Sequence, residues 1–136
     1  QGIILAKHLT GHDISFKPVL NSTVSQIGVM EMGAVGITEQ EAKKQSLDVV
    51  VSSIDALSRA RYYPETKPLH IKLIAKTDGT IIGCQMFGQE AVAERVDTMT
   101  AIISQQLKCE DVVSMEFSYA PPVSMVIDPI AQVAQI

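Results

Sequence analysis

From Leu69 to Lys76 two kinds of residue alternate, with Leu69, Ile71, Leu73 and Ala75 in one set and His70, Lys72, Ile74 and Lys76 in the other. Successive side chains of a strand point to opposite faces, so this order predicts a strand with one face in a core and the other half-solvated. Thr77-Asp78-Gly79-Thr80 follows, and Asp-Gly accepts the positive φ that a tight hairpin turn imposes. Ile81 to Phe87 then returns as the partner strand. An antiparallel hairpin in mid-chain, apolar on one face, calls for a second layer to cover that face.

The flanking segments supply candidates for that layer. Residues 2–10 read as the end of a helix stopped by Gly11, and a loop carrying Pro18 follows. Thr23 to Val35 is short, apolar and punctuated by glycine, which predicts one bent strand or two short ones. Thr38-Glu39-Gln40-Glu41 is a capping box that opens a short helix running to about Ser46. The β-branched run Asp48–Ile54 reads as a strand, and 55–68 as an irregular segment. After Gly88 the period becomes helical: Val92, Val96, Met99, Ile103 and Leu107 form one apolar stripe. A short helix is expected near Glu110-Asp111, and another at Asp128-Pro129, where Asp can cap and Pro can occupy the first turn. Strands first and helices after predict an α+β fold, an antiparallel β-sheet with helices packed on one side.

At 136 residues with 46% apolar content the chain suits one domain with one core, built without Trp from Ile, Val, Leu, Met and Ala. A net charge of −4 gives no electrostatic reason to expect nucleic acid. No uncharged stretch approaches the ~20 apolar residues of a membrane span, and Gln1 to Lys7 has no basic leader, so neither membrane nor secretion is expected and the localisation reads as cytoplasmic. The chain begins without Met inside an apolar pattern, as an excised part of a longer protein would. Cys84 and Cys109 lack Cys-x-x-Cys spacing and are expected to be buried thiols rather than a disulfide or a redox pair. The methionines, Met86, Met99, Met115 and Met125 among them, suit adaptable contact surfaces and a self-associating domain.

Several chemistries are tempting and weak. Gly28, Gly33 and Gly36 match neither a dinucleotide fingerprint nor a P-loop and read as strand bends, so no cofactor site is expected in this chain. His8 and His12 stand four apart, but Gly11 ends the helix between them, and His70 has no ligand at suitable spacing; no metal is expected. Asn21-Ser22-Thr23 matches a glycosylation sequon in a chain without a secretion signal. Arg59, Arg61, Lys67, His70 and Lys72 cluster beside Tyr62 and Tyr63, which reads first as a solvated hairpin face and second as a site for an anionic ligand.

Two motifs carry more. Arg59-Ala60-Arg61-Tyr62-Tyr63-Pro64 and Tyr119-Ala120-Pro121-Pro122, the latter running on to Asp128-Pro129, each set a tyrosine beside prolines that restrain its backbone. With Gly36-Ile37-Thr38-Glu39 through Ala42-Lys43, the hairpin, and Arg95 and Asp97, these landmarks follow an order that resembles the C-terminal dimerisation domain of the FAD-dependent pyridine nucleotide-disulfide oxidoreductases. The resemblance covers about Phe16 to Pro129 and points to the branch of coenzyme A disulfide reductases, polysulfide reductases and NADH oxidases.

The resemblance implies that residues 1–15 are the end of a helix leaving an absent flavin domain and that 16–136 form the interface domain of a homodimer. It implies FAD and NAD(P)H sites in other domains of a parent chain, with none here and no activity for this part alone. Tyr62 and Tyr119 would reach the partner subunit's active site as catalytic residues, with Arg61 and Tyr63 contacting substrate. The parent would reduce coenzyme A disulfide, polysulfide or oxygen. Glu65 stands where the family usually has Gly after Tyr-Tyr-Pro, and Val123 and Ile127 stand where an aromatic residue and a Lys are frequent. That loss of a cation and gain of an anion count against coenzyme A in particular. The alternative from another class is a free-standing module that binds a small ligand or a partner.

Overall fold

The computed structural model describes residues 2–136. In chain order the elements are α1 (Gly2–Leu9), β1 (Thr23–Ile27), β2 (Met30–Gly36), α2 (Glu39–Lys44), β3 (Val49–Leu57), β4 (Pro68–Lys76), β5 (Ile81–Gly88), α3 (Val92–Ser104), α4 (Cys109–Val113) and α5 (Pro129–Val133). The strands form one sheet in the order β1-β2-β5-β4-β3, and every neighbouring pair is antiparallel. The β4–β5 hairpin sits at its centre, closed by Gly79 at φ +85° and by Thr80 N–H donating to Asp78 Oδ1 at 2.9 Å.

The Thr23–Val35 segment resolves into two strands, with Gly28 at φ +60° in the turn between them. β3 is longer than its β-branched run. Asp55, Ala56 and Leu57 pair with His70, Leu69 and Pro68, so the irregular segment shrinks to 58–67. The nine residues of β4 offer a ladder that satisfies those extra backbone groups, and propensity is overruled.

Leu69, Ile71, Leu73 and Ala75 line the core face as their alternation requires. Ile74 does not follow its polar set: it is fully buried. The ladder shifts register between Ile74 and Ala75. In addition, α2 lies over this end of the opposite face, with Glu39 bound to Lys72 at 2.5 Å and Ala42 fully buried.

α3 covers the core face of β2 and β5 through Val92, Val96, Met99, Ile102 and Ile103, while α5 covers β3 and β4. Gly33 is no bend. A Cβ there would collide with the side chains of Val96 and Val92, so the missing side chain is what lets α3 lie down on β2. Met86 and Met99 belong to this core and present no contact surface, unlike Met115, which is exposed. Cys84 and Cys109 are free and buried.

Three helices end the same way. At α1, Gly11 N–H donates to the His8 carbonyl and His12 N–H to that of Lys7. At α2, Ser46 and Leu47 donate to Lys43 and Ala42; at α3, Gln106 and Leu107 donate to Ile103 and Ile102. This is the Schellman arrangement, with Gly11, Ser46 and Gln106 at φ +84°, +54° and +55°. Leu107 is therefore the residue that folds back after α3 rather than the last of its helical stripe, and it still packs against the core. The capping box forms at α2, where Thr38 N–H donates to Glu41 Oε2 at 2.9 Å and Glu41 N–H to Thr38 Oγ1 at 3.2 Å. Asp128 Oδ1 caps α5, accepting from Ile130 N–H at 2.9 Å. α1 buries none of its side chains. Among the described residues no helix is long and apolar enough to cross a membrane.

Candidate functional site: two tyrosine loops

The segment 58–67 leaves the sheet at β3 and re-enters at β4, so its base is as wide as one strand spacing. Ser58 closes that base. Its N–H donates to the Lys67 carbonyl at 2.8 Å, and its Oγ accepts from Lys67 N–H at 3.0 Å and donates to Glu90 Oε1. Arg59 grips the same carboxylate in a bidentate pair, Nε to Oε1 at 3.0 Å and Nη2 to Oε2. The guanidinium holds the Glu90 carboxyl below its ordinary range, and Glu90 in turn raises Arg59. Thr66 Oγ1 donates to the Arg59 carbonyl at 3.2 Å, and Tyr63 N–H donates to Ala60 O at 2.9 Å. The turn between them carries Tyr62 into solvent at 76% exposure. Glu65 has φ +62°, a left-handed position that suits glycine, so its departure from the family pattern falls where a side chain is least comfortable.

The second loop runs from Phe117 to Asp128. Val123 N–H and Ser124 N–H both donate to the Ala120 carbonyl at 3.0 Å. Ser124 Oγ accepts from Ala120 N–H at 3.0 Å and donates to Ser118 O at 3.0 Å. Pro121 and Pro122 have no N–H to leave unpaired in so tight a turn. At its far end Asp128 accepts from Arg95, Nη2 to Oδ2 at 2.9 Å and Nε to Oδ1 at 3.4 Å, with both side chains nearly buried. Inside the loop lies a groove of about 320 Å³ lined by Ala91, Arg95, Thr98, Phe117, Ser124 and Asp128.

The two loops meet at their tyrosines. Tyr62 and Tyr119 hydroxyls lie 3.3 Å apart, joined across 57 positions of sequence. The hydrogen bond to Tyr62, with a smaller contribution from burial, raises the Tyr119 phenol above its ordinary value, so it is a neutral donor at physiological pH. In such a pair one hydroxyl donates to the other, and the accepting oxygen keeps its own proton free to donate outward.

Arg61 and Tyr63 stand outside the pair. Arg61 is exposed and enters no ion pair among the described residues, and Tyr63 is half-buried in the turn. The remaining cations are dispersed. Arg59 is taken by Glu90, His70 faces Asp55 at 2.8 Å, and Lys72 is held by Glu39. Lys43 and Lys72 pull the Glu39 carboxyl down to about 2. On the sheet itself, His70 and Lys72 each have their own counterion.

Two glycines are taken up by close backbone packing. A Cβ at Gly36 would meet the Ile82 carbonyl and one at Gly83 the Ile37 carbonyl, so these positions face the chain's own backbone. Among the described residues no group of His, Cys, Asp and Glu is placed to hold a metal. His12 lies beyond α1, its Nδ1 3.1 Å from Thr10 Oγ1. Sequence reasoning missed Ser58, Glu90 and Ser124. Only Ser124 has a local signal, a hydroxyl four residues after the carbonyl it helps to turn.

The chain spans about 30% of the length of the curated relatives it matches. It is 44% identical over 99% of its length to an NADH oxidase of Methanocaldococcus jannaschii, and 30% identical over all of it to a CoA-dependent NAD(P)H sulfur oxidoreductase of Pyrococcus abyssi. The solved NAD-dependent persulfide reductase of A. fulgidus superposes with a TM-score of 0.92 at 28% identity, over 98% of this chain and 25% of that one. The family model for the pyridine nucleotide-disulphide oxidoreductase dimerisation domain matches residues 24–129, which include both tyrosine loops and the ion pairs that hold them. The chain belongs to that family of dimerisation domains.

Proposed function

We propose that this domain joins two copies of a flavoenzyme and presents the Tyr62–Tyr119 hydroxyl pair to the partner subunit's redox centre. In this reading the parent is an FAD- and NAD(P)H-dependent oxidoreductase of the cytoplasm, and residues 1–15 lead from its flavin domain into the interface domain at 16–136. Its substrate is a disulfide, a polysulfide or persulfide, or oxygen. Relatives named for NADH oxidation and for sulfur and persulfide reduction support that range.

One observation carries the proposal: two exposed phenols from distant segments share a hydrogen bond at 3.3 Å on loops anchored at both ends. Packing tyrosines would turn inward, and these point out. A neutral, positioned hydroxyl can donate to a sulfur leaving group as negative charge develops, an interaction stronger in the transition state than in binding. Arg61 and Tyr63 flank that donor and would contact the substrate. Exposed Val123 and Ile127 within the second loop give it apolar side chains where a cation is frequent in the family, which favours a small sulfur substrate over coenzyme A disulfide. By itself the domain is expected to turn over no nicotinamide, since its glycine spacing matches neither a dinucleotide fingerprint nor a P-loop.

In the full-length enzyme, Tyr62→Phe and Tyr119→Phe should each lower disulfide or persulfide reduction about tenfold, roughly 1.4 kcal/mol, with flavin content unchanged. Full turnover by both variants with these substrates would overturn the cross-subunit role.

A further inference from the structure

We propose that Glu90, just before α3, and Arg95, in its first turn, act together as a positioning bracket that sets the Tyr62–Tyr119 hydroxyl pair by clamping each tyrosine loop with its own ion pair. The proposal rests on the reading that this pair meets the substrate. The two loops are far apart in sequence, yet both are tied down within one stretch of six residues. Glu90 takes Arg59 and Ser58 from the first loop, and Arg95 takes Asp128 from the second.

The bracket is itself fixed. Ala91, between the two clamps, has φ +60°, a left-handed conformation that an alanine adopts only when its surroundings impose it. Its carbonyl accepts from Arg95 Nη1 at 3.1 Å, and the next N–H, that of Val92, donates to Glu31 Oε2 of β2 at 3.1 Å. Val92 and Val96 are fully buried against the sheet, Gly33 included. Both clamps therefore refer to one rigid frame, the contact of α3 with β2.

Stability alone does not call for this arrangement. A nearly buried Arg–Asp pair is commonly matched or bettered by apolar side chains of the same size. What a bidentate pair supplies is direction, because a guanidinium fork fits a carboxylate in one plane. Direction matters here, since the hydroxyls at 3.3 Å are already longer than the usual O–H···O bond. A shift of a few tenths of an ångström in either loop would part them. The raised Tyr119 phenol is the reporter of that contact.

The test uses the full-length flavoenzyme with Glu90→Gln, Arg95→Met and Asp128→Asn, each alone and combined with Tyr119→Phe. Asp128→Asn keeps an acceptor for Ile130 N–H, so it supplies the answer if Arg95→Met fails to fold. Turnover, flavin content and the tyrosinate absorbance attributable to Tyr119, taken as the difference from Tyr119→Phe, are measured. Each single variant should lose about fivefold in disulfide or persulfide reduction with flavin retained. Combined with Tyr119→Phe, none should lose more than Tyr119→Phe does alone, about tenfold. The Tyr119 titration should fall back toward its ordinary value. Losses that multiply with that of Tyr119→Phe, or a Tyr119 titration unmoved in all three variants, would overturn the bracket. Full turnover by the Tyr→Phe variants would instead overturn the functional reading, and the titration alone would then decide the positioning.

Discussion

Cys84 faces the core from β5, and burial pushes its thiol up to about 12. The thiolate is the reactive form, so at neutral pH this sulfur is inert. Because the folded value is raised, the stability associated with the neutral thiol is whole below the ordinary value of 9.0 and is lost as pH rises toward 12. Iodoacetamide at pH 8 should therefore leave Cys84 unmodified in the native protein and label it in urea, as read by mass spectrometry. Labelling without denaturant would show that the strand opens. The tyrosines illustrate the reverse case, polar groups whose value lies in exposure. Their prolines and turn hydrogen bonds, rather than packing, hold them where they are.

At the scale of single elements, the helix ends decide more than the helix interiors. α2 and α3 close with Ser46 and Gln106 in left-handed conformations, where a Cβ costs about 1–2 kcal/mol. Replacing Gln106 by Gly relieves that strain and loses about 0.5–1 kcal/mol to the greater freedom of the unfolded chain. The net expectation is a gain of about 0.5–1 kcal/mol in urea unfolding, and a loss would mean that the Gln106 side chain has a role the hydrogen bonds do not show. α2 carries a pH dependence as well. Lys43, then Lys72, depresses the Glu39 carboxyl, so its contribution is whole above the ordinary value of 4.5 and is lost as pH falls toward 2. Thermal melts between those limits should fall more steeply for the native sequence than for Glu39→Gln. Equal slopes would mean that the two lysines leave Glu39 unaffected.

For the whole molecule, the main helical layer of α3 and α5 on one side of the sheet leaves apolar side chains exposed elsewhere. Ile27, Met32 and Phe87 lie on the sheet face opposite α3 and α5, and Val123, Val126 and Ile127 within the second tyrosine loop. Exposed apolar groups of this number suit an interface more than a lone surface. A dimerisation domain is expected to bury such a patch against its own copy, with the same residues on both sides of a two-fold axis. Sedimentation at micromolar concentration should give twice the monomer mass for the full-length enzyme. A monomer there would overturn the homodimer.

What the sequence by itself determined are the features that close within a few residues. The Asp-Gly turn of the hairpin, the Thr38–Glu41 capping box, the Asp128 cap and the stop at Gly11 all form where local chemistry places them, because each partner lies within about one turn of chain. The order of the tyrosine, proline and Arg95 landmarks was legible for the same reason, as short strings with their own backbone restraints. Tertiary structure decided the rest. Ile74 is buried on the face where Glu39 of α2 reaches Lys72, β3 reaches Leu57 because β4 offers it a ladder, and Gly33 exists for the approach of α3. The grips of Glu90 on Arg59 and Arg95 on Asp128, and the meeting of Tyr62 with Tyr119, join residues 31, 33 and 57 positions apart. Such pairs leave no periodic trace in the chain, since what brings them together is the packing of α3 on the sheet and not the spacing of either loop.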